Sequence, residues 1–321
     1  MRKFFAKRSK EEYLQTTVVI WMGALLSCLL WGSAVSVIKI GYESLSITVS
    51  QSSRQIVFAG YRFFLAGILT IILGSILHKK VLLPQISSLK SIGILSLFQT
   101  IGQYFFFYIG VAHTSGVKSS ILVGMGVFAA ILVSSLIFRQ EKLSKNKIIG
   151  CIVGFVGVIL INWSKDVGEG SFLLIGEGFI ILADLAYAFS TSCFKVYSKR
   201  EHPVTLSGYQ FVVGGIVLTL VGIVMGGGDL KFSGQSLWIL FYLALVSSLA
   251  YTIWGILMKY NPVSKVAVFG FMNPVFGVLL SALLLKERGQ ALGVKSLFAL
   301  FFVSLGIYIV NRIPKDRRGN L

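Results

Sequence analysis

Residues 117–138 read VKSSILVGMGVFAAILVSSLIF, an apolar run whose one charged residue, Lys118, lies at its start. A helix needs about 20 apolar residues to cross the hydrocarbon core of a bilayer, so this run is long enough to span it. Ten such runs occur, and they predict an all-α integral membrane protein with ten transmembrane helices. The runs cover residues 18–40, 56–77, 91–112, 117–138, 146–162, 172–194, 204–225, 236–258, 263–285 and 292–311.

The composition agrees with a membrane protein. Of the 321 residues, 55% are hydrophobic and 13% are charged, and the mean hydropathy is +0.82. A typical soluble domain is about 25% charged, so this chain could not cover its own surface in water. A soluble enzyme and a disordered chain are thereby excluded. The three cysteines all lie within apolar runs, which does not indicate a disulfide framework.

The placement of basic residues predicts how the chain crosses the membrane. If the N-terminus lies inside, 21 of the 30 lysine and arginine residues fall on the cytoplasmic side, eight fall outside, and Arg62 alone lies within a span. Cytoplasmic loops carry such an excess of positive charge. We therefore expect a multi-pass protein of the cell membrane with both termini cytoplasmic. The net charge of +18 is then explained by the orientation of the chain in the membrane and by attraction to anionic lipids. No nucleic-acid partner is expected.

The chain is weakly similar to itself at a nearly constant offset. Val117 aligns with Val263 at an offset of 146 residues, and Tyr61 aligns with Tyr209 at 148. Because five spans are an odd number, the second half would enter the bilayer from the opposite side. Inverted repeats of this kind occur in secondary transporters, with the substrate site near the midplane between them. The predicted organisation is a tail 1–17, a five-helix repeat 18–162, a five-helix repeat 172–311 and a tail 312–321.

Several short motifs have a recognisable pattern. They are Trp31-Gly32-Ser33, Tyr61-Arg62-Phe63-Phe64, Tyr108-Ile109-Gly110-Val111-Ala112-His113-Thr114, Arg139-Gln140-Glu141-Lys142-Leu143-Ser144, Asn273-Pro274 and Lys286-Glu287-Arg288. In these motifs the chain resembles the drug/metabolite transporter superfamily, specifically the bacterial EamA-type carriers. The resemblance implies a ten-helix carrier for export or exchange of small metabolites, such as amino acids and related compounds. It also implies a central cavity lined by spans 1, 3, 4, 6, 8 and 9.

Asp184 lies near the middle of span 6. A carboxylate at that depth costs about 2.5–3.5 kcal/mol on insertion scales and must face the interior of the bundle. Its functional interpretations are coupling to protons and binding of a substrate amine, and the structural alternative is pairing with Arg62 or with backbone and serine groups. Tyr187 and Glu177 lie on the same stripe of the helix. Glu177 is closer to the outer edge, where a solvated or vestibular position is expected.

Arg62 is interpreted as a structural charge that pairs with a buried carboxylate or with helix-end carbonyls. Anion recognition is the alternative, because a guanidinium suits carboxylate and phosphate groups. Ser96, Gln99 and Gln103 share a stripe of span 3, where the two amides need hydrogen bonds from another helix or from substrate. The full set of candidates for substrate binding or coupling is Asp184, Tyr187, Trp31, Gln99, Gln103, Tyr251, Trp254 and Asn273. Asn273 precedes a proline that is expected to kink span 9 at mid-length.

Regularly spaced glycines indicate close helix packing. They are Gly60, Gly67 and Gly74 in span 2, the pair Gly150/Gly154 and the pair Gly222/Gly226. A homodimer through one of these faces is an open alternative. Glu141 and Glu287, each flanked by basic residues, are expected to form exposed loop ion pairs that shape turns.

No phosphate-binding loop and no paired-histidine spacing for a metal occur in the sequence, so we expect no cofactor and no direct use of ATP. An ion gradient or the substrate gradient would then supply the energy, with protons as the first choice because Asp184 is the one central carboxylate. The predicted function is a secondary transporter that exports a small organic metabolite by alternating access, and not an enzyme. The alternatives are a membrane-embedded lipid-modifying enzyme and a non-transporting membrane protein.

Overall fold

The structure, a computed structural model, describes residues 10–140, 142–162, 173–261, 266 and 268–311. The predicted tail 312–321, most of the tail 1–17, Glu141, residues 163–172 and part of the ninth expected span lie outside this range. The described residues form helices and no strand. In chain order the long helices are α1 (Thr17–Ser44), α2 (Ser52–His78), α3 (Ile86–Ala112), α4 (Gly116–Ile137), α5 (Lys145–Asn162), α6 (Leu174–Tyr197), α7 (Pro203–Gly227), α8 (Gly234–Tyr260), α9 (Met272–Leu284) and α10 (Val294–Asn311).

Seven of these helices are long and apolar enough to cross a membrane, namely α1 to α4 and α6 to α8. Each coincides with one of the predicted apolar runs. The remaining runs coincide with shorter helices, since α5 and α10 have 18 residues and α9 has 13. The all-helical class is therefore confirmed, whereas the number of spans stays a prediction.

The outer surface of the helix bundle is apolar. Ile76 in α2 is 67% exposed, Val224 in α7 is 87% exposed and Phe301 in α10 is 58% exposed. Monomeric soluble proteins rarely expose contiguous apolar patches larger than a few hundred Å². Contact with lipid accounts for such a surface, which indicates a multi-pass membrane protein.

The contact between α2 and α7 depends on glycine. A Cβ added to Gly67 would lie 2.6 Å from the amide nitrogen of Val212 and 2.7 Å from the carbonyl oxygen of Gly208. A Cβ at Gly60 or Gly74 would likewise collide with α7. Small residues let helix backbones approach closely in membranes, and the predicted packing of this stripe is confirmed.

The contact between α5 and α10 is equally close, because a Cβ added to Gly150 would lie 2.6 Å from the carbonyl oxygen of Gly306. Both glycine faces are thus filled within one chain.

Gly226 is different, since nothing lies within 4 Å of an added Cβ and its φ is 92°. The expectation that Gly226 packs against another helix is wrong. Glycine is favoured there because residues with a side chain rarely adopt that backbone conformation.

The helix contacts follow a pattern that recurs between the two halves of the chain. α1 packs against α8 and α9, and α6 packs against α3 and α4, while α2 pairs with α7 and α5 pairs with α10. One apolar cluster is formed mainly by α1, α2, α3, α7 and α8, and a second mainly by α4, α5, α9 and α10. Each cluster draws on both halves of the chain, so the halves are not separate domains.

Candidate functional site

Asp184 is buried at mid-length of α6, with 7% of its surface exposed. Its Oδ1 atom would lie 3.0 Å from a Cβ added to Gly126 in α4, so the carboxylate sits directly against that helix. Its Oδ2 atom has no hydrogen-bond partner, and no ion pair within the described residues includes it. The structural alternative of pairing with Arg62 is therefore wrong. Buried ionisable groups in membranes are costly, and their retention is typical of functional sites.

Tyr187 lies one helical turn after Asp184. It is close enough to Tyr251, Asp184 and Cys28 to interact with them electrostatically. Its Cδ1 atom would lie 3.3 Å from a Cβ added to Gly126. The absence of a side chain at Gly126 therefore leaves the space that Asp184 and Tyr187 occupy between α4 and α6.

Four aromatic residues continue from Tyr187 into the neighbouring helices. The ring of Trp31 in α1 has its centroid 5.3 Å from that of Tyr251 and 5.2 Å from that of Trp254, both in α8. The Tyr251 hydroxyl lies 3.1 Å from the hydroxyl of Tyr104 in α3. We call Trp31, Tyr104, Tyr187, Tyr251 and Trp254 the aromatic cluster. The structure thus brings together Trp31, Tyr187, Tyr251 and Trp254, which were candidates from the sequence, at the side of Asp184.

Gln99 and Gln103 have different surroundings. The Gln210 side chain of α7 donates to Gln99 Oε1 at 2.7 Å, and Ser96 Oγ donates to the Gln210 carbonyl at 3.1 Å. Gln103 Oε1 is buried without a partner. Residues 96–102 form a π-helical turn, so the predicted stripe does not lie on a regular α-helix. That Ser96, Gln99 and Gln103 share one face stays a prediction.

Asn273 is half-buried in the first turn of α9, which follows a 3-10 turn over Val268–Phe271. Its carbonyl oxygen would lie 3.2 Å from a Cβ added to Gly32, so α1 and α9 are in close contact at this point. The 3-10 turn interrupts the expected ninth span directly before Asn273-Pro274, and residues 262–265 and 267 lie outside the described range, so the kink at mid-span stays a prediction. Pro274 fits the first turn because amide groups there have no intrahelical acceptor.

Arg62 is buried in α2, with 2% of its surface exposed. Its Nε donates to the Leu243 carbonyl at 3.1 Å, Nη1 donates to the Tyr108 hydroxyl at 3.0 Å, and Nη2 donates to Ser247 Oγ at 2.9 Å. The guanidinium carbon also lies 4.9 Å from the centre of the Phe63 ring. Arg62 therefore ties α2 to α3 and α8 through neutral acceptors, and the expected carboxylate partner is wrong.

Lys118 and Glu177 form a buried ion pair that the sequence analysis missed. They are 8% and 2% exposed, and Lys118 Nζ lies 3.0 Å from Glu177 Oε1. Thr114 Oγ1 donates to the same oxygen at 2.9 Å, and the Leu173 amide donates to Glu177 Oε2 at 2.8 Å. The solvated position expected for Glu177 is wrong. The sequence contains one indication of this pair, a lysine at the start of an apolar run. Local spacing does not identify its partner, which lies 59 residues away.

Glu287 caps the start of α4 from the loop that follows α9. Its carboxylate accepts hydrogen bonds from the Gly116 and Val117 amides at 3.0 and 2.8 Å. The first amides of a helix have no intrahelical acceptor, and a negative charge is favoured beside them. Glu287 takes part in no ion pair within the described residues, so the expected loop ion pair is wrong for this residue.

Two cavities lie at opposite ends of α3. The larger, about 410 Å³, is lined by residues that include Lys39, Glu43, Ala112 and Glu287. The smaller, about 160 Å³, is lined by residues that include Ser87 and Glu201. Between these ends, Asp184 is buried and the aromatic rings are in contact with one another. Trp31, Tyr187, Tyr251 and Trp254 are half-buried, so part of the ring surface stays accessible.

Apolar helices around buried polar groups define a multi-pass membrane protein with a candidate site at the centre of its bundle. The EamA-like transporter family matches this chain twice, over residues 18–163 and 174–312. The chain therefore belongs to the EamA-like transporter family. It is a membrane transporter and not an enzyme.

Similar proteins extend over nearly the whole chain. An uncharacterized transporter of Archaeoglobus fulgidus is 29% identical, over 91% of this chain and 98% of its own length. A probable amino-acid metabolite efflux pump of Salmonella typhimurium is 24% identical, over 89% of this chain and 92% of its own. A solved crystal structure of another protein has a TM-score of 0.65 at 16% identity, over 91% of this chain and 96% of that one, which shows a shared fold.

Proposed function

We propose that this transporter is a secondary carrier that moves a small organic metabolite across the cell membrane by alternating access, coupled to protons. The observation that carries the proposal is Asp184, whose Oδ2 atom is buried at mid-length of α6 without a hydrogen-bond partner. A carboxylate in such a place must exchange a proton or a bound cation whenever the site opens to water. Intramembrane carboxylates serve as proton relays in pumps and transporters for this reason.

Alternating access requires two halves that can exchange conformations, and the helix contacts support such an arrangement. In such a repeat, α6 would correspond to α1, α8 to α3 and α9 to α4. Under this correspondence, the contacts of α1 with α8 and α9 match the contacts of α6 with α3 and α4. The pairs α2–α7 and α5–α10 map onto themselves. The family also matches each half separately. We therefore propose two inverted five-helix repeats, over residues 18–162 and 172–311.

The proposed arrangement has ten spans and both termini in the cytoplasm. α5 and α10 have 18 residues each, which at 1.5 Å per residue gives about 27 Å. This length is close to the hydrocarbon core of about 30 Å. The excess of basic residues in the expected cytoplasmic segments supports the orientation.

The name of the Salmonella typhimurium relative supports an amino acid or a related compound as the solute and export as the direction. A homodimer through the glycine faces is not supported, because α2 and α7, and α5 and α10, use those faces within one chain. The solute can be sought by metabolite profiling of cells that produce the protein and of cells that lack it. The compounds that differ are then tested for counterflow in proteoliposomes.

Proton coupling is tested with an imposed pH gradient and the solute found by counterflow. We expect the wild type to accumulate solute against its gradient and Asp184→Asn to catalyse exchange without accumulation. Asp184→Glu, which keeps an ionisable group, is the matched control and should retain accumulation. Equal gradient-driven transport by the wild type and Asp184→Asn would reject Asp184 as the proton site.

The orientation is tested with reporter fusions. We expect reporters at both termini and after residue 199 to be active in the cytoplasm, and a reporter after residue 231 to be active outside. Termini on different faces of the membrane would overturn the ten-span arrangement.

A further inference from the structure

The helices around the central site carry buried acceptors without donors. Asp184 Oδ2 and Gln103 Oε1 are buried and unpartnered, and both can only accept hydrogen bonds when the carboxylate is ionised. Thr252 Oγ1, next to Tyr251 in α8, is also unpartnered, and Thr252 is 7% exposed. These three residues belong to α6, α3 and α8, the helices that carry Tyr187, Tyr104 and Tyr251 of the aromatic cluster. In the central site itself, a solute that donates hydrogen bonds would satisfy Asp184 Oδ2.

The basic residues buried in the bundle are already engaged. The three nitrogens of Arg62 each donate to a neutral acceptor, and Lys118 is paired with Glu177. Lys39 lines the cavity at the far end of α1 from the N-terminus. The Arg62 guanidinium lies 5.9 Å from the centre of the Tyr104 ring, but its three nitrogens already donate to protein acceptors. Among the described residues beside the cluster, Asp184 is therefore the charged group with an unpartnered atom. A phosphate or a lone carboxylate would be repelled by Asp184 and would have to compete with the hydrogen bonds of Arg62.

The aromatic cluster adds a second attraction for positive charge. The faces of tryptophan and tyrosine rings attract ammonium groups within about 6 Å. Trp31 is in ring contact with both Tyr251 and Trp254, and Tyr187 interacts with both Tyr251 and Asp184. A carboxylate beside such rings matches an ammonium group with an apolar body.

We propose that the central site takes an organic cation, with its ammonium group on Asp184 and its apolar body against Trp31 and Trp254. This inference rests on the proposed carrier function and names its class of solute. Asp184 can hold either a proton or the ammonium group, so binding of one displaces the other. Placing the apolar body between Trp31 and Trp254 also requires these two rings to separate, because they are in contact.

Equilibrium binding to detergent-purified protein tests the class of solute without a transport assay. The probes are three amines of different size, methylamine, putrescine and phenethylamine. Phenylethanol and phenylacetate are the neutral and anionic counterparts of phenethylamine, and sodium chloride tests an inorganic cation. We expect at least one amine to bind and to quench tryptophan fluorescence at pH 7.5, and the other probes to have no effect. Binding should weaken as the pH falls, because protons compete for the carboxylate.

Variants locate the bound amine. We expect Asp184→Asn to lower amine affinity at least tenfold, and Trp254→Leu, which keeps the carboxylate, to lower it severalfold. Asp229→Asn, which removes an exposed carboxylate in the loop between α7 and α8, should bind as the wild type does. A thermal melt of each variant verifies that it is folded, and a variant with a melt like that of the wild type is informative.

The proposal is overturned if none of the three amines binds, if phenylacetate or phenylethanol binds as well as phenethylamine, if sodium alone produces the signal, or if Asp184→Asn retains full affinity. Counterflow separates this failure from failure of the carrier function. Transport of a solute that is not a cation would leave the carrier function intact and reject the cation site. Binding of an amine without any counterflow would reject the carrier function alone.

Discussion

Lys118 Nζ lies 3.0 Å from Glu177 Oε1, and this buried ion pair joins the first turn of α4 to the start of α6. The two residues belong to different halves of the chain. Thr114 and the Leu173 amide complete the hydrogen bonds of the carboxylate, so neither charge is left exposed to the bilayer. Breaking a buried pair by removing one partner leaves the other charge without compensation.

We expect Glu177→Gln and Lys118→Met each to destabilise the protein by about 3–5 kcal/mol, because each leaves one buried charge unpaired. The double variant Lys118→Met/Glu177→Gln should be less destabilised than the sum of the two single changes. Thermal or denaturant unfolding in detergent measures these differences. Additive effects in the double variant would show that the two side chains are not coupled.

Packing at α2 is tested by one added methyl group. We expect Gly67→Ala to destabilise the protein by about 1–3 kcal/mol or more, because the new Cβ would lie 2.6 Å from the Val212 amide nitrogen of α7. Gly93→Ala is the matched control, since Gly93 lies in a helix with nothing within 4 Å of an added Cβ. Alanine is favoured over glycine in helices, so the control should unfold at the same temperature as the wild type or slightly above it.

The hydrogen bonds of Arg62 predict that lysine cannot replace it. A lysine ammonium is compact, whereas the guanidinium reaches Leu243, Tyr108 and Ser247 from three nitrogens. We expect Arg62→Lys to cost about 2–4 kcal/mol, since buried acceptors and donors would lose partners. Arg54→Lys on the same helix is the control, because its pair with Asp229 is exposed and contributes little to stability. Similar unfolding midpoints for the two variants would contradict this structural role.

Glu201, in the loop after α6, predicts a dependence of stability on pH. Burial acts to raise the pKa of Glu201, but hydrogen bonds from the Gln85 and His202 amides outweigh it and hold that pKa below its usual value. Because the folded-state pKa is lowered, these hydrogen bonds stabilise the protein above the ordinary glutamate pKa of about 4.3. The stabilisation is lost as the pH falls through the lowered folded-state value.

The measurement is the difference in melting temperature between the wild type and Glu201→Gln across pH. We expect the wild type to be the more stable near pH 7 and the difference to shrink toward about pH 3. Glu43→Gln, an exposed carboxylate in α1, is the control and should change little. A difference for Glu201→Gln that is constant with pH would contradict a role of the ionised carboxylate.

The sequence predicts the parts of this molecule that depend on local spacing or on depth in the bilayer. The seven-residue spacing of Gly60, Gly67 and Gly74 indicates a packing stripe, and that stripe lies against α7. The position of Asp184 in the middle of an apolar run indicates a buried carboxylate, and the structure places it so. Both features follow from helix geometry and from the cost of burying charge.

The features that the sequence does not predict depend on partners far along the chain or on helix irregularities. A π-helical turn covers Ser96–Gly102, and no residue pattern in that stretch indicates it. Lys118 and Glu177 each lie near the end of an apolar run, where a charge is normally solvated. Gln210, the partner of Gln99, could have been noticed as a lone amide deep in an apolar run.

The hydrogen bonds between Glu287 and the first amides of α4 constrain the residues on the two sides of this contact differently. The acceptor is one specific side chain, but the donors are main-chain amides, which every residue except proline provides. Position 116 must stay small, because a Cβ added to Gly116 would lie 2.5 Å from Leu285. Substitution at position 117 by any residue except proline, however, keeps the hydrogen bond to Glu287, so positions 117 and 287 need not vary together in related chains. Pairwise covariation would miss a connection between the two halves that the hydrogen bonds make directly.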